Sequence, residues 1–537
     1  MSNEEAPVFI AGAGPVGMTL ALELARHGIR SILVEQSGTT TRHPKMDLTN
    51  GRSMELYRRL GIADDLRAVG VASSEPLDIV WATSATGHPI HRFAYPSPDA
   101  AREIARICND GTHTLEPGVR VSQVVLEPAL KRHVDASPLI DVRFGVAYED
   151  HEQDAGGVIV KTRHTQTSEI FQTRTQFLCG CDGGGSKVRG DAKIEMEGQF
   201  AIANAYMVHF RSNAHDVLAR FGVAYHLQTA HGTLIAQNGK DIWTLQTLAD
   251  PDSDPDALLR NFVGCDFDYE ILVANPWTPH MVVASQYRDR RVFLAGDACH
   301  QVIPTGGYGM NTGVGDAIDL GWKLASVING WGGEAILESY HHERRPIAFQ
   351  NRDAALRHAE TRAGISEAIS HLSGVENTGA VTATQRMEAA RTIVRYGNAE
   401  NESWGIEHGY KYDGSPIIAA DDGDLEAPEF DPLKCVATTA PGSRLPSLYL
   451  ANGKALFDLL GAQFTLIAVG DVSIGDVEAI AERCHVPLAL LQLEEEPILN
   501  RLERRLILVR PDQHVAWRGD SIPDWQEVIG KVVGIAP

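Results

Sequence analysis

The chain has 537 residues, of which 43% are hydrophobic and 22% are charged, and its formal net charge at pH 7 is −22. This length exceeds what one hydrophobic core supports, so we expect two to four domains. The strong negative charge argues against nucleic acid or an anionic membrane surface as a partner. The acidic N-terminus has no apolar signal-peptide core, and no apolar run reaches the roughly 20 residues that span a bilayer. We therefore expect a cytoplasmic protein without membrane contact.

The cysteines and histidines predict neither disulfides nor a metal site. The seven cysteines are odd in number and include no CxxC pair, which indicates reduced thiols. The 21 histidines show no ligand spacing such as HExxH. We therefore expect no bound metal.

The first informative element is an apolar strand that runs into a glycine-rich loop and then a helical pattern. The loop consists of Gly12, Ala13, Gly14, Pro15, Val16 and Gly17. Gly12 permits the tight turn, Gly14 lets a pyrophosphate approach the backbone, and Gly17 allows close packing of helix on strand. This pattern predicts a dinucleotide-binding fold.

A second apolar strand follows the helix and ends at Glu35 and Gln36. Glu35 stands 18 residues past Gly17, where an acidic side chain can accept hydrogen bonds from a ribose diol. A carboxylate there would repel the 2′-phosphate of NADP. The residues of this site therefore predict bound NAD or FAD and leave the choice between the two open.

Two later segments carry further motifs. Residues 177–189 read FLCGCDGGGSKVR, an apolar strand that runs into Asp182. Residues 292–325 form a strand, a loop that contains Gly296 and Asp297, and a helical pattern from about residue 312. The loop ends in PTGGYGMN at 304–311. Such a supple loop between a strand and a helix lets backbone approach a ligand closely.

These segments resemble the DG and GD motifs of the class A FAD-dependent aromatic hydroxylases, a group of flavoprotein monooxygenases. NGRSMELYRRLGI (50–62) and VSQVVLEPAL (121–130) are similar to other segments of that family. The tail resembles the thioredoxin-like domain of its phenol hydroxylase and polyketide hydroxylase subgroup. The resemblance covers nearly the whole chain, and its motifs stand in the family's order.

The resemblance implies FAD as cofactor, with NADPH or NADH and O2 as co-substrates. It implies that Asp297 binds the ribityl or ribose region and that Pro304 lies over the flavin face. Backbone N–H groups at Gly309, Met310 and Asn311 would meet the isoalloxazine, where the positive end of the following helix stabilises negative charge. Further residues expected at the cofactor are Lys45, Arg52, Gln123, Asp182 and Gly296, with the exposed Arg42 nearby.

Asp47 is the candidate catalytic base. It stands five residues before Arg52, and the phenol hydroxylases that the chain resembles carry an Asp at that offset. The family's reaction passes through a flavin C4a-hydroperoxide, which a phenolate attacks better than a phenol does, so a base near the substrate hydroxyl is required. The alternative interpretation is that Asp47 caps a turn or helix before Ser53.

We expect the substrate to lie against an antiparallel sheet that places aromatic side chains over the flavin. The candidate substrate contacts are Tyr206, Tyr225, His226 and Trp243. Each of these residues has a plain core role as its alternative.

The predicted fold is α/β and α+β. A Rossmann-type FAD-binding domain is interleaved with an antiparallel-sheet substrate domain, and a thioredoxin-like domain without CxxC follows. The predicted boundaries are 1–75, 115–190 and 280–360 for the FAD-binding domain, 76–114 and 191–279 for the substrate domain, 361–409 for a helical segment, 410–442 for a linker and 443–537 for the C-terminal domain.

The predicted function is FAD-dependent, NAD(P)H-driven hydroxylation of a small phenolic aromatic substrate. One alternative is an oxygenase that tailors a polycyclic, polyketide-derived or indole-derived substrate. Another is a flavin-binding protein without turnover. By analogy with the subgroup, a homodimer is the expected assembly.

Overall fold

The computed structural model of the protein describes residues 6–372, 381–421, 423, 425–494 and 496–535. The predicted domains also include residues 1–5, 373–380, 422, 424, 495, 536 and 537, which lie outside the described residues.

The strands, in chain order, are β1 (Val8–Ala11), β2 (Ser31–Glu35), β3 (Leu48–Thr49), β4 (Ile79–Ala82), β5 (Pro89–Phe93), β6 (Val119–Arg120), β7 (Ile140–Phe144), β8 (Val146–Asp154), β9 (Gly157–His164), β10 (Ile170–Thr175), β11 (Phe177–Gly180), β12 (Met196–Gln199), β13 (Ala205–Arg211), β14 (His226–Thr229), β15 (Gly232–Ala236), β16 (Ile242–Leu248), β17 (Glu270–Trp277), β18 (Met281–Ala284), β19 (Arg288–Asp289), β20 (Val292–Leu294), β21 (His300–Gln301), β22 (Phe464–Val469), β23 (Leu488–Leu493), β24 (Leu506–Val509) and β25 (Val515–Gly519). The α-helices are α1 (Pro15–Arg26), α2 (Gly51–Arg59), α3 (Ala63–Ala68), α4 (Pro98–Cys108), α5 (Gln123–Ala136), α6 (Lys187–Asp191), α7 (His215–Leu218), α8 (Pro255–Val263), α9 (Tyr308–Ile328), α10 (Glu334–Ile369), α11 (Ala383–Tyr396), α12 (Trp404–His408), α13 (Val477–Arg483) and α14 (Trp525–Val532).

The first layer is a six-stranded sheet in the order β19-β20-β11-β1-β2-β7. Strand β1 runs parallel to both β2 and β11, and its four residues are all buried. An apolar strand covered on both faces is what a parallel sheet flanked by helices requires. The carboxyl ends of β1, β2, β11 and β20 therefore meet at one edge, where ligands of open α/β sheets bind.

The second layer is a seven-stranded sheet in the order β17-β13-β16-β15-β14-β4-β5. Its pairs are antiparallel except for the parallel pair of β14 with β4. One face of this sheet packs with α8 around a core that includes Phe210, Leu245 and Phe262. Three smaller sheets have the strand orders β10-β9-β8, β12-β18-β21 and β3-β6.

Two long helices follow the six-stranded sheet. Helix α9 begins at Tyr308, four residues before the predicted start, because Gly307 adopts a left-handed φ of 66° and turns the chain into the helix. Helix α10 runs without a break from Glu334 to Ile369, so the predicted boundary at residue 360 falls inside it. Helix α9 packs against both α1 and α10, which fixes its N-terminus at the edge of the parallel sheet.

The C-terminal part contains a four-stranded mixed sheet in the order β23-β22-β24-β25. Its core includes Phe464 and Trp525 and is shared with Trp322 of α9. The segment 410–442, expected as a linker, buries Tyr412 and Ile417 against this part. The C-terminal domain is therefore packed firmly on the helices behind the dinucleotide fold.

Five charged side chains are buried together where the C-terminal domain meets α9 and α10. Arg510 donates hydrogen bonds to Glu343 at 2.6 Å, to Asp319 at 3.0 Å and to Asp512 at 2.6 Å. Lys323 bonds Asp319 at 2.7 Å and Glu343 at 2.5 Å. We call these five residues the interdomain cluster.

The seven cysteines are all unpaired. Across the described ranges, no helix combines the length and the apolar character needed to cross a lipid bilayer.

Candidate active site

A cavity of about 1270 Å³ lies between the edge of the parallel sheet and one face of the seven-stranded sheet. Small-molecule sites are usually about 300–1,000 Å³, so this cavity has room for more than one ligand. The parallel-sheet side of its wall includes Gly12, Ala13, Gly14, Pro15, Val16, Glu35, Gln36, Lys45, Asp47, Gln123, Asp182, Asp297, Pro304, Gly309 and Met310. The opposite side includes Met207, Tyr225, His226, Thr233, Ile235, Gln237 and Gln246.

The first glycine-rich loop is shaped for close approach of a ligand. A Cβ on Gly12 would lie 2.3 Å from the carbonyl oxygen of Cys181, and a Cβ on Gly17 would lie 2.0 Å from the carbonyl oxygen of Gly12. Around Gly14, by contrast, no atom of the described residues comes within 4 Å of an added Cβ. Gly12 and Gly17 therefore serve packing, and Gly14 leaves open space at the N-terminus of α1, where a pyrophosphate fits.

Glu35 is held at the end of β2 by two backbone donors. Ala13 N–H donates to its Oε2 at 3.1 Å, and Ser37 N–H donates to its Oε1 at 2.9 Å. The carboxylate is half-exposed at the cavity wall, so its remaining lone pairs can accept from a ribose diol.

Asp182 lies at the cavity wall, but its carboxylate is already engaged. It accepts hydrogen bonds from Ser186 Oγ at 2.5 Å, Lys187 N–H at 2.8 Å and Val188 N–H at 3.1 Å. Asp182 thus fixes the turn into the short helix α6. Arg189 of that helix donates to the Ala298 carbonyl at 2.9 Å and ties the two later motifs together.

The loop that carries Gly296 and Asp297 is braced from behind by Asp316 of α9. Asp316 accepts from Gly296 N–H at 3.1 Å, from Arg344 Nε at 2.8 Å and contacts His300 Nε2 at 2.7 Å. Gly296 has a left-handed φ of 64°, and a Cβ there would lie 2.9 Å from Val16. Gly296 therefore shapes the loop, while Asp297 opens into the cavity.

The N-terminus of α9 faces the cavity through Gly309 and Met310, with Pro304 in the preceding loop. The first N–H groups of a helix have no partner within the helix and carry its positive end. Asn311 lies deeper than predicted. Its Nδ2 donates to the Leu48 carbonyl at 3.0 Å, and its Oδ1 accepts from Asn50 N–H at 3.0 Å. Asn311 thus fastens α9 to the segment that carries Asp47.

Four polar side chains meet at the far side of the cavity, and we call them the cavity cluster: Asp47, His226, Arg362 and Glu400. Arg362 donates to Glu400 Oε1 at 2.7 Å and to Glu400 Oε2 at 2.5 Å. Its Nη2 also lies 3.2 Å from His226 Nδ1. The other ring nitrogen, His226 Nε2, lies 3.7 Å from Asp47 Oδ2.

The position of Asp47 is fixed by backbone hydrogen bonds of its segment and not by its own side chain. Its carbonyl accepts from Val121 N–H at 2.9 Å, and the flanking Met46 carbonyl accepts from Gln123 N–H at 3.1 Å. Within the described ranges, the buried Oδ2 of Asp47 has no hydrogen-bond partner. A buried carboxylate oxygen without a donor, at the wall of a cavity, is an unfilled acceptor.

Tyr225 covers His226 and closes this end of the cavity. The two rings stack with centroids 3.9 Å apart, and the Arg120 guanidinium lies 5.5 Å from the Tyr225 ring centre. Burial raises the pKa of the Tyr225 hydroxyl well above its ordinary value, and the nearby Asp47 raises it further, so this hydroxyl stays protonated.

Three predicted site residues lie elsewhere, and these predictions are corrected. Arg52 is buried and donates to Gln513 Oε1 at 2.7 Å and to the Asp512 carbonyl at 2.8 Å, so α2 directs it towards the C-terminal domain. Tyr206 and Trp243 lie in the core on the opposite face of the seven-stranded sheet. Strand alternation explains this, because Met207, the residue after Tyr206, and Gln246, three residues after Trp243, face the cavity.

Gln123 and Lys45 do line the cavity. Gln123 donates to Glu127 Oε1 at 2.7 Å, and Lys45 lies exposed at the rim. Sequence reasoning missed Arg362 and Glu400. Arg362 lies within the helical pattern of α10, and Glu400 follows α11 in a short turn, so neither position carries a recognisable motif.

The parallel sheet, the glycine-rich loop and this cavity define a dinucleotide-binding protein. Residues 5–355 match the family described as FAD binding domain, and residues 438–535 match the one described as aromatic-ring hydroxylase, C-terminal. The chain therefore belongs to the class A FAD-dependent aromatic-ring hydroxylases, and it is an FAD-dependent monooxygenase.

Individual relatives cover nearly the whole chain. It is 37% identical to the FAD-dependent monooxygenase apdD of Emericella nidulans, over 97% of this chain and 88% of that protein. It is 28% identical to a phenol 2-monooxygenase of Pseudomonas sp. (strain EST1001), over 96% of this chain and 90% of that protein. The solved structure of chromopyrrolic acid-soaked RebC with bound 7-carboxy-K252c aligns over 100% of both chains, with a TM-score of 0.88 and 30% identity.

Proposed function

We propose that the protein hydroxylates an aromatic ring that bears a phenolic hydroxyl, using FAD, NADPH or NADH, and O2. The observation that carries this proposal is the unfilled acceptor at Asp47. Its buried Oδ2 has no donor among the described residues and lies at the wall of a cavity large enough for a cofactor and a substrate. A phenolic O–H supplies the donor that this carboxylate lacks.

The residues at the dinucleotide loop fit FAD, because Gly14 leaves open space and Glu35 retains lone pairs at the wall. We assign the loop from Gly12 to Val16, Glu35, Gln36 and Lys45 to its phosphates and ribose. Asp297, Pro304, Gly309 and Met310 are assigned to its flavin end. When bound, FAD would be reduced by NAD(P)H and would deliver one oxygen atom of O2 to the substrate.

In this proposal Asp47 takes the proton of the substrate hydroxyl, which makes the ring a stronger nucleophile. The ring lies between Tyr225 and the loop at Pro304, and the seven-stranded sheet excludes water from it. The N-terminus of α9 stabilises negative charge at the flavin end. Gly17, Asp182, Gly296 and Asn311 hold these elements in place. The C-terminal domain, which we propose to be thioredoxin-like, supports α9 and α10 and takes no part in the redox steps.

Substrate size separates two versions of the proposal. Similarity to a phenol 2-monooxygenase favours a single phenolic ring. The cavity of about 1270 Å³ and the likeness to a structure with bound 7-carboxy-K252c favour a polycyclic substrate of polyketide or indole origin. In both versions Asp47 has the same role if the substrate carries a phenolic hydroxyl.

The test is oxidation of NADH and of NADPH by the FAD-loaded protein, with a panel of simple phenols and of polycyclic phenols. Hydroxylated product and free hydrogen peroxide are measured together. We expect one class of phenol to accelerate oxidation and to yield product with little peroxide. Acceleration only by polycyclic compounds would select the second version. Failure of NAD(P)H to reduce the bound flavin with any compound would contradict the proposal.

A further inference from the structure

The cavity cluster fixes the position of a proton that the proposed reaction does not itself specify. His226 has two ring nitrogens in different surroundings. Nδ1 lies 3.2 Å from Arg362 Nη2, and Nε2 lies 3.7 Å from Asp47 Oδ2. A neutral imidazole carries its proton on one nitrogen only, so these two neighbours determine which one.

Arg362 can only donate. A guanidinium carries N–H groups alone and stays protonated at all working pH values. Arg362 is also held firmly, because Glu400 accepts from its Nε at 2.5 Å and from its Nη2 at 2.7 Å. The nitrogen of His226 that faces Arg362 must therefore be the acceptor, and the ring proton must be on Nε2.

We propose that His226 is a positioning residue that Arg362 and Glu400 lock as a neutral Nε2–H tautomer, so that Nε2–H donates to Asp47. The present separation of 3.7 Å exceeds the 2.7–3.2 Å of an N–H···O bond by about 0.5–1 Å. A shift of that size at either side chain makes the bond. This inference rests on the proposed role of Asp47 and adds to it, because an ionised carboxylate can accept from His226 and from the substrate hydroxyl at the same time.

Burial, together with the positive charge of Arg362, keeps His226 neutral. Five charged or titratable groups face this site, each from a different part of the chain: Asp47 before β3, Arg120 of β6, Tyr225 beside β14, Arg362 of α10 and Glu400 after α11. Burial lowers the pKa of His226 and is the largest cause. The nearby Asp47 carboxylate raises this pKa, the Arg362 charge lowers it, and the Glu400 charge raises it. A second proton on Nδ1 would also place an N–H against the guanidinium.

Two consequences follow for the reaction. His226 cannot take the substrate proton, because the nitrogen that faces Asp47 already carries one. The base therefore remains Asp47, whose carboxylate His226 orients by donating to it while the substrate hydroxyl approaches. Glu400 also accepts from Gly306 N–H at 3.0 Å, which places the lock against the loop at Pro304.

The direct test is the tautomer itself, read in the FAD-loaded full-length protein labelled with 15N at histidine. Subtraction of the spectrum of His226→Gln assigns the His226 nitrogens. We expect one protonated Nε2 and one unprotonated Nδ1, unchanged from pH 6 to 8. In Arg362→Met we expect His226 to titrate, with its pKa moved up towards its ordinary value. A protonated Nδ1, or a wild-type ring that titrates in this range, would overturn the inference.

Hydroxylation activity gives an independent test, in which His226 is replaced by Gln or by Asn, two amide side chains of different length. Gln at position 226 can place its NH2 where Nε2 stands, whereas Asn reaches only to the position of Nδ1. We expect His226→Gln to keep hydroxylation within about threefold of wild type and His226→Asn to lose about tenfold or more in kcat. Equal loss in both variants would reject the donor role.

His209→Gln is the matched control. His209 is also buried in the seven-stranded sheet, but its Nδ1 contacts Thr244 Oγ1 at 2.9 Å, and it is not among the described residues that line the cavity. Its replacement should leave both the His226 spectrum and hydroxylation unchanged. If Arg362→Met fails to fold, Arg362→Lys keeps a donor and a charge, and the same two readouts apply to it.

Asp47→Asn distinguishes failure of this inference from failure of the proposed function. If Asp47→Asn hydroxylates as fast as wild type, the proposed base is wrong. If it loses activity while His226→Gln and His226→Asn behave alike and the Nδ1 of His226 is protonated, the base stands and the tautomer lock is wrong.

Discussion

The interdomain cluster and the cavity cluster both bury charge, but they differ in how completely their carboxylates are paired. In the interdomain cluster, Arg510 and Lys323 together supply donors to every carboxylate around them. In the cavity cluster, Glu400 is fully engaged by Arg362, whereas Asp47 Oδ2 has no donor among the described residues.

This difference separates structural charge from functional charge. A buried ion is costly unless it is paired, and a satisfied network makes its surroundings rigid. A buried acceptor that is left open beside a cavity is completed only when a ligand supplies the donor. Structural charge should therefore respond to mutation through stability, and functional charge through turnover.

The largest effect is expected from Arg510→Met, because it leaves Asp319, Glu343 and Asp512 buried with too few cations. We expect the free energy of unfolding to fall by about 3–5 kcal/mol, measured by urea denaturation. Lys131→Met is the control, since the Lys131–Asp135 pair lies at the surface and should contribute at most about 1 kcal/mol. An equal effect of the two changes would remove the distinction between the clusters.

Asp47→Asn should show the opposite pattern. Asp47 Oδ2 has no hydrogen-bond partner among the described residues, and an Asn carbonyl oxygen can still accept from His226, so stability should change by no more than about 0.5 kcal/mol. Hydroxylation of the best phenol should slow by about 100-fold, equivalent to about 2.7 kcal/mol, because the general base is lost. Flavin reduction, followed by stopped-flow absorbance, should be nearly unaffected. A loss of less than threefold in product formation would make Asp47 a structural residue.

Much of the dinucleotide side of the site was predictable from local sequence. The first loop, Glu35 and the later motifs each lie within one strand–loop–helix unit, and the carboxyl ends of parallel strands bring such units together. Asp47 was predictable only through family resemblance. The start of α9 was missed because glycine-rich sequence has low helix propensity. Contacts of Asn311 with Leu48 and Asn50, which are distant in the chain, stabilise this first turn of the helix.

The other errors depended on long-range contacts. Arg52 is directed by partners about 460 residues away in the chain, which no local pattern reveals. Tyr206 was assigned to the wrong face of β13, because residues on both faces of this strand are buried and alternation then fails to mark the cavity side. Arg362 and Glu400 meet only through the packing of α10 beside the turn that follows α11.

Glu55 of α2 is another buried and paired carboxylate, because Arg444 Nη2 donates to its Oε1 at 2.5 Å. We expect acid to reduce the contribution of Glu55 to the free energy of unfolding. Burial alone would raise the pKa of Glu55, but Arg444 and its other partners hold it down to about 2. A lowered folded-state pKa means that its contribution is complete above about pH 4.5 and is lost as the pH falls towards 2. The gap in unfolding free energy between wild type and Glu55→Gln should therefore narrow by about 2 kcal/mol between pH 5 and 3. A constant gap would show that Glu55 is not held ionised.

The smallest expected effect comes from filling the open space at Gly14 and involves no change of charge. Gly14 has an ordinary φ of −72°, and an added Cβ meets no described atom within 4 Å, so Gly14→Ala should fold as wild type does. The methyl group would occupy the space that we assign to the FAD pyrophosphate, so FAD affinity should fall by about tenfold, or about 1.4 kcal/mol. Gly190→Ala is the control, because Gly190 is equally open but lies away from the cavity. Titration of the FAD-free proteins with FAD, followed by flavin fluorescence, gives both dissociation constants. Unchanged affinity in Gly14→Ala would place the pyrophosphate elsewhere, and a loss of stability in it would mean that Gly14 is packed in solution.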